Sequence, residues 1–178
     1  MGADLFAGGF GRRHGFGRAA SLMFALLMTV VSLAGCGDSG HGAETDPEKG
    51  SDAAILNDAL GRELSLLGVY TRGNRLLPAR QRALGDRLRA NQQEYVDAIT
   101  KAIRGLGGDT EAEPEEIDLG PVKDAAGLFA LATELEETTV EFYVDEATHL
   151  YTAAPRTLDA WLAAGHGEHL GMLPPGGG

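Results

Sequence analysis

The chain has 178 residues, enough for one domain with a sizeable core, and a formal net charge of −11 from 15 Lys and Arg against 26 Asp and Glu. This acidic balance argues against nucleic acid as a partner, because nucleic-acid binding needs a basic face, and against electrostatic attraction to anionic lipid headgroups. The single cysteine excludes an internal disulfide and a cysteine-based metal site.

The first 35 residues have the features of a bacterial secretory signal. Three arginines lie in residues 1–18, an apolar segment follows at 19–34, and small residues precede Cys36. The apolar segment is shorter than the ~20 residues that a membrane-spanning helix needs. A charged start, a short apolar middle and small residues before a cleavage point are typical of a signal peptide. We therefore expect residues 1–35 to be removed, which leaves 12 basic and 25 acidic residues.

Leu33-Ala34-Gly35-Cys36 resembles the lipobox of bacterial lipoproteins. The resemblance implies that Cys36 is diacylated through its sulfur and becomes the mature N-terminus, and two acyl chains hold a protein stably at a membrane. The Gly, Ser, Asp, Glu and Pro content of residues 36–50 predicts a flexible tether. We expect a lipid-anchored protein on the outer face of the cytoplasmic membrane or on the periplasmic or cell-wall side. The alternative is an uncleaved anchor helix.

The first predicted helix spans residues 52–71, and Ser51 or Asp52 can cap its start. Its apolar residues recur at the spacing of one buried face: Leu56, Ala59, Leu60, Leu67 and Tyr70. Glu63 falls within this stripe, where a core residue is expected.

The second predicted helix spans residues 78–106, with Pro78 in its first turn and two glycines after its end. Its stripe consists of Leu84, Leu88, Gln92, Tyr95, Ile99, Ala102 and Leu106. Gln92 and Tyr95 are the polar members of this stripe. The acidic segment 109–123 shows no periodicity and could extend over about 50 Å, more than the ~30 Å length of a 20-residue helix. It can therefore cross a whole helical bundle.

The third predicted helix spans residues 124–147, with Asp124 as its cap. Its stripe consists of Phe129, Ala132, Val140, Tyr143 and Ala147. Glu136 lies in the middle of this stripe. An unpaired buried charge costs several kcal/mol, on the order of the stability of a domain. Glu136 therefore needs a cation, a hydrogen-bond network or a metal as its partner.

The fourth predicted helix spans residues 157–173, and residues 174–178 are expected to form a disordered tail. Its stripe consists of Leu158, Leu162, His166, His169 and Leu173. Gly165 and Gly167 flank His166, and each costs the helix roughly 1 kcal/mol relative to alanine. We expect a local distortion or a close backbone approach there.

Polar residues thus lie near the middle of all four stripes, and the connections are short, long and short. The polar pairs on the second and fourth helices have i, i+3 spacing, which places both side chains on one helix face. This pattern is similar to that of di-iron carboxylate proteins, in which two helices each supply a Glu and two supply Glu-x-x-His.

Four segments resemble the bacterial ferritin-like domain family. They are Asp52-Ala53-Ala54-Ile55-Leu56-Asn57, Tyr95-Val96-Asp97-Ala98-Ile99, Leu106-Gly107-Gly108 and Leu135-Glu136-Glu137-Thr138-Thr139-Val140. The resemblance covers about 52–173. It implies an all-α, ferritin-like four-helix bundle at residues 51–173 with a long crossover between helices 2 and 3.

The resemblance carries over to only part of the ligand set. Glu63 and Glu136 match the single glutamates of the family, and His169 matches one of its histidines. The other Glu-x-x-His positions hold Gln92, Tyr95 and His166; of these, Gln92 and His166 replace glutamates and Tyr95 replaces a histidine. We therefore do not expect an intact di-iron site or the oxidase chemistry that it supports.

Two classes of function stay open. In the preferred one, the buried polar residues satisfy one another without a cofactor, and the protein is a non-catalytic binding or structural module of the cell envelope. In the alternative, one Fe, Mn or Zn ion is bound by Glu63, Glu136, His166 and His169, with Gln92 and Tyr95 in support. A periplasmic hydrolase is a third alternative, although no catalytic residues are assigned. The pattern names no protein partner.

Overall fold

The computed structural model describes residues 46–174, and this part of the chain folds into four α-helices without strands. The helices are α1 (Pro47–Gly73), α2 (Ala79–Gly105), α3 (Ala125–Glu146) and α4 (Ala153–Met172), with a short 3-10 turn at Asn74–Leu76. The predicted all-α four-helix bundle is confirmed. The predicted signal peptide, Cys36 and the last four residues lie outside the described residues.

The helices pack mainly as two pairs, α1 with α2 and α3 with α4. None of the helices among residues 46–174 is both long and apolar enough to span a membrane. The apolar core forms two clusters, one centred on Leu56, Ile99 and Leu162 and the other on Val69, Leu88 and Leu128. The polar members of the four stripes lie between these clusters along each helix.

Helix α1 begins at Pro47, five residues earlier than the sequence suggested. The Asp46 carboxylate accepts a hydrogen bond from Glu48 N at 3.2 Å and so caps the helix, and Pro47 occupies the first turn. The predicted tether therefore loses residues 47–50 to the helix. The Asp46 cap, Pro47 and the acidic first turn favour the helix by more than the glycine at position 50 disfavours it.

Asp52 does not cap α1, although the sequence offered it as a cap of this helix. It is fully buried inside α1, where its carboxylate accepts hydrogen bonds from the backbone N–H groups of Tyr151 and Thr152 at 2.7 and 2.9 Å. It also accepts a hydrogen bond from Thr152 Oγ1 at 2.5 Å. Asp52 thus satisfies backbone N–H groups just before the first residue of α4 and ties the α3–α4 turn to α1.

Helix α4 begins at Ala153 rather than at Thr157. Pro155 lies in its first turn, where a missing N–H costs no intrahelical hydrogen bond. Two predicted core positions are also displaced by one residue: Leu66 and Thr139 are buried, whereas their neighbours Leu67 and Val140 are only partly buried.

The crossover between α2 and α3 runs along α1, as the segment length predicted. The side chain of Asn57 donates to Asp109 O at 3.0 Å and accepts from Glu111 N at 2.9 Å. Ser65 Oγ accepts from Glu115 N at 2.8 Å, and Arg72 Nη2 donates to Ile117 O at 2.7 Å. Three polar side chains of α1 therefore satisfy backbone groups of this extended segment at successive points along the helix.

Candidate functional site

The fold brings together all six residues that the stripes singled out. Glu63, Gln92, Glu136, His166 and His169 are each 0% exposed, and Tyr95 is 5% exposed. They come from four helices and form a polar layer between the two apolar clusters. We call this group, with the tyrosines described below, the central cluster.

Glu63 receives hydrogen bonds from three helices. Its Oε1 accepts from the Tyr143 hydroxyl and lies 2.9 Å from His166 Nε2. Its Oε2 accepts a short hydrogen bond from Gln92 Nε2. Because three donors converge on this carboxylate, it is satisfied without any group from outside the chain.

Glu136 has an equivalent set of partners. Its Oε1 accepts from the Tyr70 hydroxyl at 2.5 Å and lies 3.0 Å from His169 Nδ1. Its Oε2 lies 2.5 Å from His166 Nδ1. Of the partners that the sequence left open for Glu136, the structure shows a hydrogen-bond network of two histidines and a tyrosine.

The two tyrosine donors were not identified as polar members of the stripes. Tyr70 follows Glu63 by seven residues, and Tyr143 follows Glu136 by seven residues. A spacing of seven residues is two helical turns and keeps both side chains on one face. Since α1 and α3 run antiparallel, the tyrosine of each helix donates to the glutamate of the other. The Glu-x6-Tyr spacing, repeated in α1 and α3, is the sequence feature from which these reciprocal hydrogen bonds could have been predicted.

His166 is the bridge of the central cluster, because its two ring nitrogens contact two different carboxylates. Both contacts need an N–H donor, so the ring carries two protons and a positive charge. Burial alone would lower the pKa of His166, but its hydrogen bonds to Glu136 and Glu63 raise that pKa to about 9. Burial would raise the pKa of Glu136, yet the hydrogen bonds from His166 and His169 and the positive charge of His166 lower it to about 2.

Aromatic rings surround the His166 imidazolium. The Tyr143 ring stacks on it with centroids 5.7 Å apart and planes at 21°, and the Tyr95 ring lies 5.2 Å away. A cation within about 6 Å of an aromatic ring is attracted by its electron-rich face. Burial raises the pKa of Tyr143 and that of Tyr95 far above the usual value, so both remain protonated.

His169 is oriented from its other side by α2. With Nδ1–H donating to Glu136, its Nε2 is free to accept the Asn91 amide at 3.2 Å. The Tyr95 hydroxyl also lies 3.5 Å from this nitrogen. This tautomer follows from the hydrogen-bond partners. Asn91 is a member of the site that sequence reasoning missed, since it lies beside the predicted stripe.

Gly165 allows the Tyr95 ring to reach the histidines. A Cβ at position 165 would collide with the Tyr95 hydroxyl, so the predicted close approach is present here. Gly167 has open space around it, and α4 continues through both glycines without a break. Of the two sequence expectations, the close approach applies and the helix distortion does not.

Comparison with known proteins agrees with this architecture. The sequence model of the ferritin-like domain family matches residues 51–174. The chain belongs to the ferritin-like domain family. A conserved hypothetical protein, rv2844, from Mycobacterium tuberculosis has a similar solved structure, with 20% identity over 68% of this chain and 93% of that chain and a TM-score of 0.62. That likeness concerns the fold alone, and no curated protein matches the chain.

Among ferritin-like sites, this one does not fit a di-iron centre. The Glu-x-x-His positions of α2 hold Gln92 and Tyr95, which supply an amide and a protonated phenol instead of a carboxylate and an imidazole. The His166 ring also stands between Glu63 and Glu136 and contacts both carboxylates.

A smaller ligand group is present within the same cluster. Glu136, His166 and His169 each offer one ligand atom, and these atoms lie within 4.8 Å of one another. Glu63 is not part of this group, although the sequence placed it among the possible metal ligands, because it lies on the far side of the His166 ring. Gln92 Oε1 is buried in the cluster without a hydrogen-bond partner.

Proposed function

We propose that this protein is an exported, lipid-anchored ferritin-like bundle that acts as a non-catalytic binding or structural module of the cell envelope. Export and anchoring are supported by the leader composition and by Leu33-Ala34-Gly35-Cys36. The absence of a working di-iron site is supported by the residues that replace the ligands on α2 and α4. The bundle is then a preformed scaffold held near a membrane, and its outer surface is available to partners.

One observation carries the metal-free part of this proposal: His166 contacts Glu63 and Glu136 through its two ring nitrogens. The imidazolium supplies the positive charge that two buried carboxylates need, and it does so from within the chain. A metal ion at either carboxylate must displace this ring or remove one of its protons. Both carboxylates of the central cluster are therefore satisfied from within the chain.

Metal analysis of the full chain, purified without chelators, tests the metal-free centre. The measurement uses the His149→Ala variant, which removes an exposed histidine of a second possible ligand group and leaves the central cluster unchanged. We expect less than one tenth of an equivalent of Fe, Mn or Zn in this variant. One equivalent of metal that survives dialysis in this variant and disappears in His169→Ala would contradict the proposal.

Cell fractionation tests the anchoring. Cys36→Ser should leave the leader uncleaved or release the protein from membranes, because the acylated sulfur is gone. The natural chain should instead partition into detergent and show the mass of a diacylated N-terminal cysteine. Normally processed, unlipidated protein that remains in the membrane fraction would contradict this part of the proposal.

A mononuclear metal site is the second candidate function, favoured by the close grouping of Glu136, His166 and His169. In that state His166 would release its Nδ1 proton and bind through this nitrogen, while its Nε2–H donates to Glu63. A carboxylate behind a histidine ligand is a common way to orient it. A hundredfold excess of ion over its dissociation constant should then stabilise the fold by about 2.7 kcal/mol. His169→Ala should abolish the gain.

A further inference from the structure

A second group of potential ligands lies at the corner where α3 ends and α4 begins. Asp145, Glu146 and His149 each offer one ligand atom, and these atoms lie within 4.8 Å of one another. Glu146 is the last residue of α3, and the chain then turns through residues 147–152. These three residues, together with Asp159 of α4, are called the corner cluster below.

Asp159 is the buried member of the corner cluster. Its side chain is 1% exposed, and its Oδ2 has no hydrogen-bond partner. Burial raises the pKa of Asp159 to about 7, and the nearby charge of Glu146 adds to this rise. A buried carboxylate without a partner is costly for the folded state. Asp159 is therefore charged near neutral pH only at a cost that a neighbouring cation would remove.

No basic side chain compensates this corner. Among residues 46–174, no lysine or arginine forms an ion pair with an acid of the corner cluster. The last turn of α3 contains no basic residue, although the negative end of a helix dipole favours a cation there. Arg156, which is nearby in sequence, donates instead to two carbonyl oxygens of the turn. Asp145 and Glu146 thus lie with His149 at the carbonyl end of α3, and the charge of Glu146 reaches the buried Asp159.

We propose that the corner cluster binds one divalent metal ion. Asp145, Glu146 and His149 are its ligands, and Asp159 supplies the buried carboxylate next to them. A set of carboxylate oxygens with one imidazole suits Mn²⁺ or Zn²⁺. The ion ties His149 in the turn to the end of α3 and offsets the repulsion between Asp145 and Glu146. This site does not depend on whether the central cluster binds metal.

Titration of the full chain with MnCl₂ or ZnCl₂ tests the site, read by calorimetry and by the imidazole NMR signals. We expect saturable one-to-one binding, with the His149 signals shifted by Zn²⁺ or broadened by Mn²⁺. Asp145→Asn and His149→Ala should each weaken binding at least tenfold, and both residues are exposed, so the fold tolerates the changes. Asp159→Asn should weaken it as well.

Glu137→Gln is the matched control, because Glu137 is an exposed acid of the same helix outside the cluster. It removes the same charge and should leave the affinity unchanged. Equal weakening by Glu137→Gln and Asp145→Asn would show general attraction to an acidic surface and overturn the proposal. Binding that survives His149→Ala but is lost in His169→Ala would place the ion in the central cluster and also overturn it.

Discussion

The central cluster and the corner cluster use the same residue types and differ in how their charges are balanced. In the centre, Glu136 is fully buried and accepts hydrogen bonds from Tyr70, His166 and His169. At the corner, Asp159 is equally buried, yet one of its oxygens has no partner. The comparison teaches that a Glu/His group indicates a metal site only when its ligand atoms lack internal donors. By that criterion the corner is the better metal candidate.

The pKa of the buried carboxylate is lowered in the central cluster and raised in the corner cluster. Internal donors lower the pKa of Glu136 to about 2, whereas burial without a donor raises the pKa of Asp159 to about 7. Both carboxylates are removed from water, so the difference lies in what replaces the water. A complete hydrogen-bond set stabilises the charged form, and an incomplete set destabilises it.

The largest effect is expected from removal of the central cation. His166→Ala leaves Glu63 and Glu136 buried without the charge between them, and breaking such a buried ion network costs about 3–5 kcal/mol. Chemical denaturation of the metal-free protein gives the free energy of unfolding. His149→Ala, which removes an exposed corner histidine, should change it by no more than about 0.5 kcal/mol. Equal effects of the two substitutions would remove the distinction between the clusters.

The next prediction is a loss of stability at alkaline pH. The pKa of His166 rises from 6.5 to about 9 on folding. Its contribution is therefore fully present below pH 6.5 and is lost as the pH rises through 9, on the order of 3 kcal/mol in total. The shift of Glu136 reports the same interaction and is not added to it. Denaturation midpoints between pH 6 and 10 measure the loss, and His166→Gln should flatten the curve.

A smaller effect is expected from each of the two exchanged tyrosines. Tyr70→Phe and Tyr143→Phe each remove one hydrogen bond to a buried carboxylate, at a cost of about 1.5–3 kcal/mol. Their costs should be similar, because each tyrosine donates to the glutamate of the other helix. Tyr151→Phe is the control, since this side chain is 55% exposed. A cost for Tyr151→Phe equal to the other two would show that the hydroxyl bonds in the centre contribute little.

The last prediction concerns the corner in metal-free buffer. The raised pKa of Asp159 means that its burial is tolerated below pH 3.8 and becomes increasingly unfavourable as the pH rises through 7. Asp159→Asn should therefore be neutral near pH 4 and stabilising near pH 8, as thermal melting would show. Added Zn²⁺ should reverse the order at pH 8, because only the natural carboxylate contributes to the site. A destabilising effect at pH 8 without metal would contradict the account of this corner.

The sequence was sufficient for the fold and for most members of the central cluster, because polar residues in an apolar stripe must meet at the bundle centre. Glu63, Glu136, His166 and His169 were identified on this basis. Tyr70 and Tyr143 were counted among the apolar members of their stripes, since a phenol ring fits a core whether or not its hydroxyl has a partner.

Other features depended on three-dimensional neighbours. The bridge formed by His166 could not be derived from spacing, because its geometry depends on how far α1 and α3 stand apart around α4. The burial of Asp159 near the α3–α4 corner was equally hidden, since one aspartate in the second turn of a helix is usually exposed. Asp52 was taken as a cap of its own helix because its contacts with the α3–α4 turn, which is distant in sequence, leave no local pattern.

The protonation state of His166 tests the central claim most directly. ¹⁵N NMR of imidazole-labelled protein at pH 7 resolves both ring nitrogens. His166→Gln assigns their signals, and His149→Ala removes the histidine of the corner cluster from the spectra. The account predicts two protonated nitrogens, a titration midpoint near pH 9 and no change with equimolar Zn²⁺. One unprotonated His166 nitrogen whose signal moves with Zn²⁺ would contradict it and make the central cluster a metal site.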